Sequence, residues 1–150
     1  MPVLIESRQT VRRINRVRIR RILTEALVLL GCSDHEVSVL LVDDIGIQTI
    51  NRDYLGRDRP TNVMSFAIRE GEYGALNPHL LGDIVVSVEK AWSDARQEKI
   101  KFTDELDFLL IHGLLHLLGF DHEDVPATKA RDMKAMERRI FRDLKGYEIQ

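Results

Sequence analysis

The stretch "DELDFLLIHGLLHLLGFDH", residues 104–122, combines a long apolar segment with three of the chain's five histidines. Its apolar residues leave almost no polar face, which is the pattern of a helix that is buried nearly all round. We predict a helix over Asp104–Leu118, with Thr103 as its N-cap and two acidic residues in its first turn, where the helix dipole favours anions. The histidines of this helix are therefore expected inside the protein, where an imidazole needs polar partners.

The spacing of the histidines predicts a metal site at the end of this central buried helix. His112 and His116 lie one turn apart on one face. Gly119 suits a left-handed residue that ends the helix and lets His122 return toward the same point. The pattern H-x-x-x-H-x-x-G-x-x-H is similar to that of the metzincin metallopeptidases, in which three histidines bind zinc and a fourth position stays open. The alternative is a set of core histidines that bond to backbone groups.

Gly113 occupies the position at which the metzincin pattern has a glutamate. That glutamate is the general base of peptide hydrolysis. The sequence therefore keeps the metal geometry but lacks the peptidase base. Lewis-acid stabilisation of a phosphoryl oxygen needs no base at this position, so the pattern favours phosphodiester chemistry.

The rest of the chain predicts an α+β domain, with a small mixed sheet of about four strands covered by about five helices. A length of 150 residues suits one domain, and we assign residues 1–150 to it. Segments rich in β-branched residues predict the strands, namely "VLIES", "EVSVLLVDD", "NVMSFAI" and "LGDIVVSV". Besides the histidine helix, helical patterns cover about Thr10–Leu30, Ile45–Leu55, Glu89–Lys99 and Thr128–Lys145.

The segment "RQTVRRINRVRIRR", residues 8–21, carries seven arginines and no acid, although the net charge of the chain is −2. Apolar residues recur within it at helical spacing, so we expect its arginines on the outer face of the helix Thr10–Leu30. Arginine's planar fork suits phosphate oxygens, which makes this face a candidate phosphate-binding surface. The alternative is an ordinary solvated helix face. The candidate residues are Arg12, Arg13, Arg16 and Arg20.

Two further features bear on location. No run of about 18 apolar residues is present, and "MPVLIESRQT" lacks the features of a signal peptide. We therefore expect a cytoplasmic protein. The single cysteine, Cys32, has no partner for an internal disulfide, and we interpret it as a small buried hydrophobic residue.

Three segments together resemble one known family, the YbeY-type endoribonucleases of bacterial ribosomal RNA maturation. "HGLLHLLGFDH" is similar to the family signature H-G-x-L-H-L-x-G-Y-D-H, with Phe120 in place of the tyrosine. "NRDYLGRDRPTNVMSF" resembles the family's Asn, Tyr, Gly, Asp, Pro-Thr and Ser-Phe framework, and "LGDIVVSVEKA" resembles its second strand. The resemblance covers most of residues 45–122.

The resemblance implies a single-strand-specific endoribonuclease with one zinc ion per chain, bound by His112, His116 and His122. It further implies a role in maturation of the 3′ end of small-subunit ribosomal RNA and in ribosome quality control. The implied partners are ribosomal RNA, the small ribosomal subunit, and ribosomal proteins or assembly GTPases. Neither DNA nor a membrane is expected as a partner.

One departure concerns a basic residue that the family commonly carries directly after the tyrosine, where this chain has Leu55. Arg57 and Arg59 lie close in sequence and are candidates to supply that charge, Arg57 in catalysis and Arg59 in RNA binding. The alternative for both is a solvated turn. Asp121 matches the signature and is a candidate to orient a ligand or accept a proton, although a loop aspartate can equally bond to backbone.

Three functions from different classes thus remain open at this point. The first is a zinc-dependent endoribonuclease. The second is a metallopeptidase-like hydrolase of unusual mechanism, which Gly113 opposes. The third is a non-catalytic ribosome-assembly factor with a structural metal, but structural zinc normally has four protein ligands and Cys32 is the only soft candidate for the fourth. An open fourth position favours an enzyme.

Overall fold

The structure is a computed structural model and describes residues 3–68, 79–119 and 127–149. These ranges contain four strands and five helices. This confirms the predicted α+β fold. Within these ranges, no helix combines the length and the apolar content needed to cross a membrane. In chain order the elements are β1 Val3–Ser7, α1 Arg16–Leu29, β2 Glu36–Val42, α2 Asp44–Leu55, β3 Val63–Ala67, β4 Leu80–Ser87, α3 Val88–Glu98, α4 Phe102–Leu117 and α5 Ala127–Lys145.

The four strands form one mixed sheet in the order β1-β2-β4-β3. β1, β2 and β4 run parallel, and β3 pairs antiparallel with β4 at the edge. One row of paired residues crosses the whole sheet, because Ile5 pairs with Val39, Val39 with Ile84, and Ile84 with Ser65. Successive residues of a strand point to opposite faces, so this row belongs to one face of the sheet.

The two faces of the sheet are covered differently. The face that carries Val39 and Ile84 packs against α1 and α4 in the main hydrophobic core. The opposite face is covered by α2, whose Ile47 packs with Val42 and Val85 in a second, smaller core. The uncovered part of that face forms a groove of about 970 Å³, which the histidines of α4 do not line.

Helix α4 lies at the centre of the fold, as its sequence predicts. It packs against α1, α3, α5, β3 and β4. Leu110 and Leu114 are fully buried, and so is the carboxylate of Asp107. Asp107 accepts hydrogen bonds from Arg18 of α1 at 2.6 and 2.7 Å and from Lys145 of α5 at 2.7 Å. This network joins the three helices through one buried carboxylate.

The start of α1 corrects the prediction of a helix from Thr10. The helix begins at Arg16, and Asn15 is its N-cap, since the Asn15 side chain accepts a hydrogen bond from the backbone N–H of Arg18 at 3.1 Å. Asparagine is among the best N-cap residues because it satisfies an otherwise unpaired N–H group of the first turn. The preceding segment is held in a local turn by Gln9, whose side chain bonds to the backbone of Arg12.

The start of α4 also differs from its prediction, because Thr103 is not its N-cap. The cap residue is Lys101, whose carbonyl oxygen accepts hydrogen bonds from the backbone N–H groups of Asp104 and Glu105, each at 3.1 Å. Thr103 therefore lies inside the first turn. The side chain of Lys101 makes no capping hydrogen bond, so the residue preferences of N-caps could not predict where this helix begins.

Candidate active site

Two of the three predicted metal ligands meet at the C-terminal half of α4. The Nε2 atoms of His112 and His116 face each other 3.0 Å apart, and both side chains are half-buried. Gly119 follows the helix with a φ of 97°, the left-handed conformation that its position predicts. His122 and Asp121 lie outside the described residues. Among those described, no group of three or more histidine, cysteine, aspartate or glutamate residues is arranged to hold a metal ion.

The histidine pair fits two positions of a tetrahedral zinc site. Two nitrogens bound to one zinc ion at about 2.0–2.1 Å lie about 3.3 Å apart in tetrahedral geometry. The 3.0 Å between the two Nε2 atoms is close to this value. The separation of the pair is therefore compatible with a shared ion, with the remaining ligands coming from elsewhere.

The histidines open onto a cleft of about 320 Å³ that also contains both candidate arginines of the turn after α2. Arg57 and Arg59 are separated from the histidines by more than fifty residues of sequence, so the fold brings the two parts of the predicted site together. Arginine is suited to binding phosphate oxygens through paired hydrogen bonds. The cleft is lined by Asn51, Leu55, Arg57, Arg59, Thr61, Asn62, Val63, Met64, Ser65, His112 and His116.

Asn51, which the sequence analysis did not single out, fixes the backbone of the arginine-bearing turn. Its side chain is 3% exposed and donates a hydrogen bond to the carbonyl oxygen of Arg59 at 2.9 Å. The backbone carbonyl oxygen of Asn51 accepts a hydrogen bond from the backbone N–H of Arg57 at 3.2 Å. Gln48 adds a contact to Asp58 at 3.0 Å. The turn is thus held against α2, while the arginine side chains remain exposed.

Gly113 packs closely against the sheet. A Cβ atom at this position would lie 2.7 Å from Cγ2 of Ile84 and 3.2 Å from Oγ of Ser65. Ser65 also donates a hydrogen bond to the carbonyl oxygen of Gly113 at 3.0 Å. A side chain of glutamate size would therefore meet the sheet, so the position that carries the metzincin base is closed by packing.

Glu137 of α5 is a second residue that the sequence analysis missed. It is 5% exposed, and its Oε1 atom contacts Nδ1 of His112. The sequence does contain a signal for it, because Glu137 lies at helical spacing between Met133 and Ile140 in the apolar stripe of α5. A carboxylate in such a stripe requires a buried polar partner.

The predicted phosphate-binding arginines occupy different environments. Arg13 and Arg16 are exposed, but Arg13 precedes α1, so its predicted position on the helix is wrong and Arg16 is the first residue of the helix. Arg12 precedes the helix and its guanidinium lies over the ring of Trp92, 3.7 Å from the centroid, so its expected position on an outer helix face is wrong. Arg20 donates from Nε to the carbonyl oxygen of Val3 at 3.3 Å.

Arg12 lies at the opposite end of α4 from the histidines. The guanidinium of Arg12 is 4.9 Å from the ring centroid of Phe102, the first residue of α4. Ten residues separate Phe102 from His112, which corresponds to about 15 Å along the helix axis. A ligand that contacts both regions must therefore be extended.

In this mixed α/β fold, an imidazole pair with metal-ligand spacing shares a cleft with two arginines, a combination suited to metal-dependent chemistry on phosphate-bearing substrates. The model of the family described as endoribonuclease YbeY matches residues 4–145. An endoribonuclease YbeY from Geobacter metallireducens is 47% identical over 94% of this chain and 94% of its own length. One from Syntrophotalea carbinolica is 50% identical over 91% of both chains.

The solution structure of TM1509 from Thermotoga maritima is similar to this fold, with a TM-score of 0.68 and 28% sequence identity over 96% of this chain and 89% of that chain. Together with the family model, these comparisons show that the chain belongs to the endoribonuclease YbeY family. The resemblance in the sequence is thereby confirmed. The activity class is that of a hydrolase that cleaves RNA internally.

Proposed function

We propose that this chain is a zinc-dependent endoribonuclease that cleaves single-stranded RNA during maturation of the 3′ end of small-subunit ribosomal RNA and during ribosome quality control. The proposal assigns one zinc ion per chain to His112, His116 and His122. The observation that carries it is the pair of Nε2 atoms 3.0 Å apart in a cleft that Arg57 and Arg59 also line. When bound, zinc polarises a phosphoryl oxygen as a Lewis acid and lowers the pKa of water.

The residues of the chain divide into binding and charge-stabilising roles. Arg57 offsets the negative charge that develops on the reacting phosphate, and Arg59 binds a neighbouring phosphate. The hydrogen bonds of Asn51 to the backbone of Arg57 and Arg59 support this, because they fix the turn from which both side chains reach the cleft. Asp121 orients a ligand or accepts a proton. Leu55 carries no charge, so Arg57 and Arg59 supply the positive charge of the cleft in this proposal.

The wider proposal concerns partners and location. The proposed partners are ribosomal RNA and the small ribosomal subunit, and they extend to ribosomal proteins or assembly GTPases. Neither DNA nor a membrane is among them. The proposed location is the cytoplasm. The endoribonuclease names of the relatives support RNA as the substrate. Residues 1–150 act as one domain, which the family match over residues 4–145 supports.

The activity is tested on protein purified without chelators. Single-stranded RNA should be cleaved, whereas duplex RNA, single-stranded DNA and a generic peptide should not. A chelator should abolish cleavage and added zinc should restore it. His112→Ala and His116→Ala should remove activity, and elemental analysis should find about one zinc per chain in the parent and less in both variants.

The matched control is His79→Ala, purified identically, because this exposed histidine lies outside the cleft. A contaminating ribonuclease would survive all three substitutions, whereas the proposed activity survives only in the control. Equal cleavage by His116→Ala and the parent would contradict the assignment of the site. It would then favour the non-catalytic assembly factor.

Arg57→Ala tests the division of roles within the cleft. We expect it to lower kcat more than RNA affinity, because the proposed contact strengthens in the transition state. Arg52→Ala is the control, since this exposed arginine of α2 does not line the cleft. A change confined to affinity would assign Arg57 to substrate binding instead.

A further inference from the structure

Glu137 is a carboxylate placed among apolar side chains. Its neighbours along the buried face of α5 are Met133, Ile140 and Phe141, which are 0%, 3% and 0% exposed. Burial of an ionised carboxylate in such surroundings is unfavourable unless a polar partner accompanies it. The partner that the structure provides is His112, on a different helix and 25 residues away in sequence. The contact therefore joins α5 to the candidate active site.

The two nitrogens of His112 face different groups. Nδ1 contacts Oε1 of Glu137, and Nε2 faces Nε2 of His116 at 3.0 Å. A carboxylate accepts and does not donate, so its contact with Nδ1 favours the tautomer that carries the proton there. That tautomer leaves the lone pair of Nε2 directed at the position between the two histidines.

We propose that Glu137 is a positioning residue, which holds the His112 imidazole in the tautomer and orientation that present Nε2 to zinc. The inference rests on the proposed zinc site and adds a residue from α5 to it. Metal-bound histidines generally donate their other N–H to such a partner, and loss of the partner typically weakens metal affinity 10- to 100-fold. Glu137 is not a ligand of the same ion, because it contacts the ring nitrogen that does not face His116.

Zinc affinity measured by competition with a chromophoric chelator tests this role without any reference to catalysis. Glu137→Ala should raise the zinc Kd between about 10- and 100-fold. Glu137→Gln keeps the volume and an acceptor oxygen but removes the charge, so its Kd should lie between those of Glu137→Ala and the parent. Asp132→Asn is the matched control, because it removes one negative charge from an exposed position of the same helix and should leave the Kd unchanged.

Two further measurements separate positioning from a general effect on the fold. Far-UV circular dichroism and the Tm of the metal-free protein should be similar for Glu137→Gln and the control. The visible spectrum of the cobalt-substituted protein should change in Glu137→Gln only, because it reports on the ligand geometry. Glu137→Gln keeps the test informative if Glu137→Ala fails to fold.

Parent-like zinc affinity and a parent-like cobalt spectrum in Glu137→Gln would overturn the proposal. Absence of zinc binding by the unaltered chain would be a different result. It would overturn the proposed zinc site, and this inference with it. The two failures are therefore distinguishable by the behaviour of the parent alone.

Discussion

Replacement of Gly113 by alanine tests whether close packing, rather than the loss of a catalytic residue, explains glycine in the histidine motif. The added methyl group would meet Ile84 at 2.7 and 3.3 Å and Ser65 at 3.2 Å. Overpacking of a buried site costs roughly 1–3 kcal/mol. Alanine is about 1 kcal/mol better than glycine inside a helix, which offsets part of this. We expect Gly113→Ala to destabilise the protein by about 1 kcal/mol.

A double-mutant cycle with Ile84 makes the prediction specific. Ile84→Ala removes the two Ile84 atoms that the added methyl group would meet and leaves only the 3.2 Å approach to Ser65. By itself it should destabilise the protein by about 2–5 kcal/mol. In that background Gly113→Ala relieves part of the cavity and gains helix propensity, so its effect should become neutral or stabilising. The expected coupling between the two substitutions is therefore about 1–3 kcal/mol.

Urea denaturation at constant pH and zinc content measures the free energy of unfolding of the parent, the two single variants and the double variant. Changes in the midpoint at an unchanged m-value report stability. A change of 1 kcal/mol corresponds to about 2–4 °C in Tm for a chain of this size, which thermal unfolding checks independently. Additivity of the two substitutions within about 0.5 kcal/mol would refute the packing explanation.

Three further predictions concern the buried charges and the basic surface. Asp107→Ala should destabilise the fold by roughly 3–5 kcal/mol in urea denaturation, because Arg18 and Lys145 lose their shared buried partner, whereas Glu6→Gln, in an exposed ion pair, should have no measurable effect. Burial, followed by repulsion from Glu98, raises the pKa of Glu105 from an ordinary 4.5 to about 8, so the native state binds more protons than the unfolded state between these values. Stability should therefore fall as the pH rises through this window, and Glu105→Gln should flatten the decline in pH-dependent urea midpoints; an unchanged pH dependence would contradict the assignment. Arg13→Gln and Arg16→Gln should each lower the slope of log affinity for single-stranded RNA against log salt by about 0.7 if they meet phosphates, and an unchanged slope, equal to that of Arg138→Gln on α5, would return them to a solvated surface.

The elements of this fold were predictable where one physical requirement dominates a segment. The apolar composition of α4 and the β-branched runs of the strands admit few alternatives, and the structure contains each of them. The start of α1 was less predictable, because Asn15 is one polar residue among several in an arginine-rich segment. Its capping hydrogen bond to Arg18 decides the boundary, and composition does not show which polar residue will cap.

The candidate site divides in the same way. The spacing of His112 and His116 places both imidazoles on one face whatever surrounds the helix, so the sequence alone predicts their meeting. The position of Arg12 depends on Trp92, eighty residues further along, and no local pattern announces that contact. Long-range pairs of this kind depend on how helices pack against each other, which periodicity does not specify.

Buried polar groups on α4 connect these observations. The helix is apolar in composition, yet it carries the buried carboxylate of Asp107 in its first half and the two histidines in its second half. Each such group needs a polar partner, because burial removes it at least partly from water. α1 supplies Arg18, and α5 supplies both Lys145 and Glu137. The docking of α5 that satisfies the charges at one end of α4 is thus the same docking that brings a carboxylate to Nδ1 of His112, so α5 contacts a residue of the cleft although none of its described side chains lines the cleft.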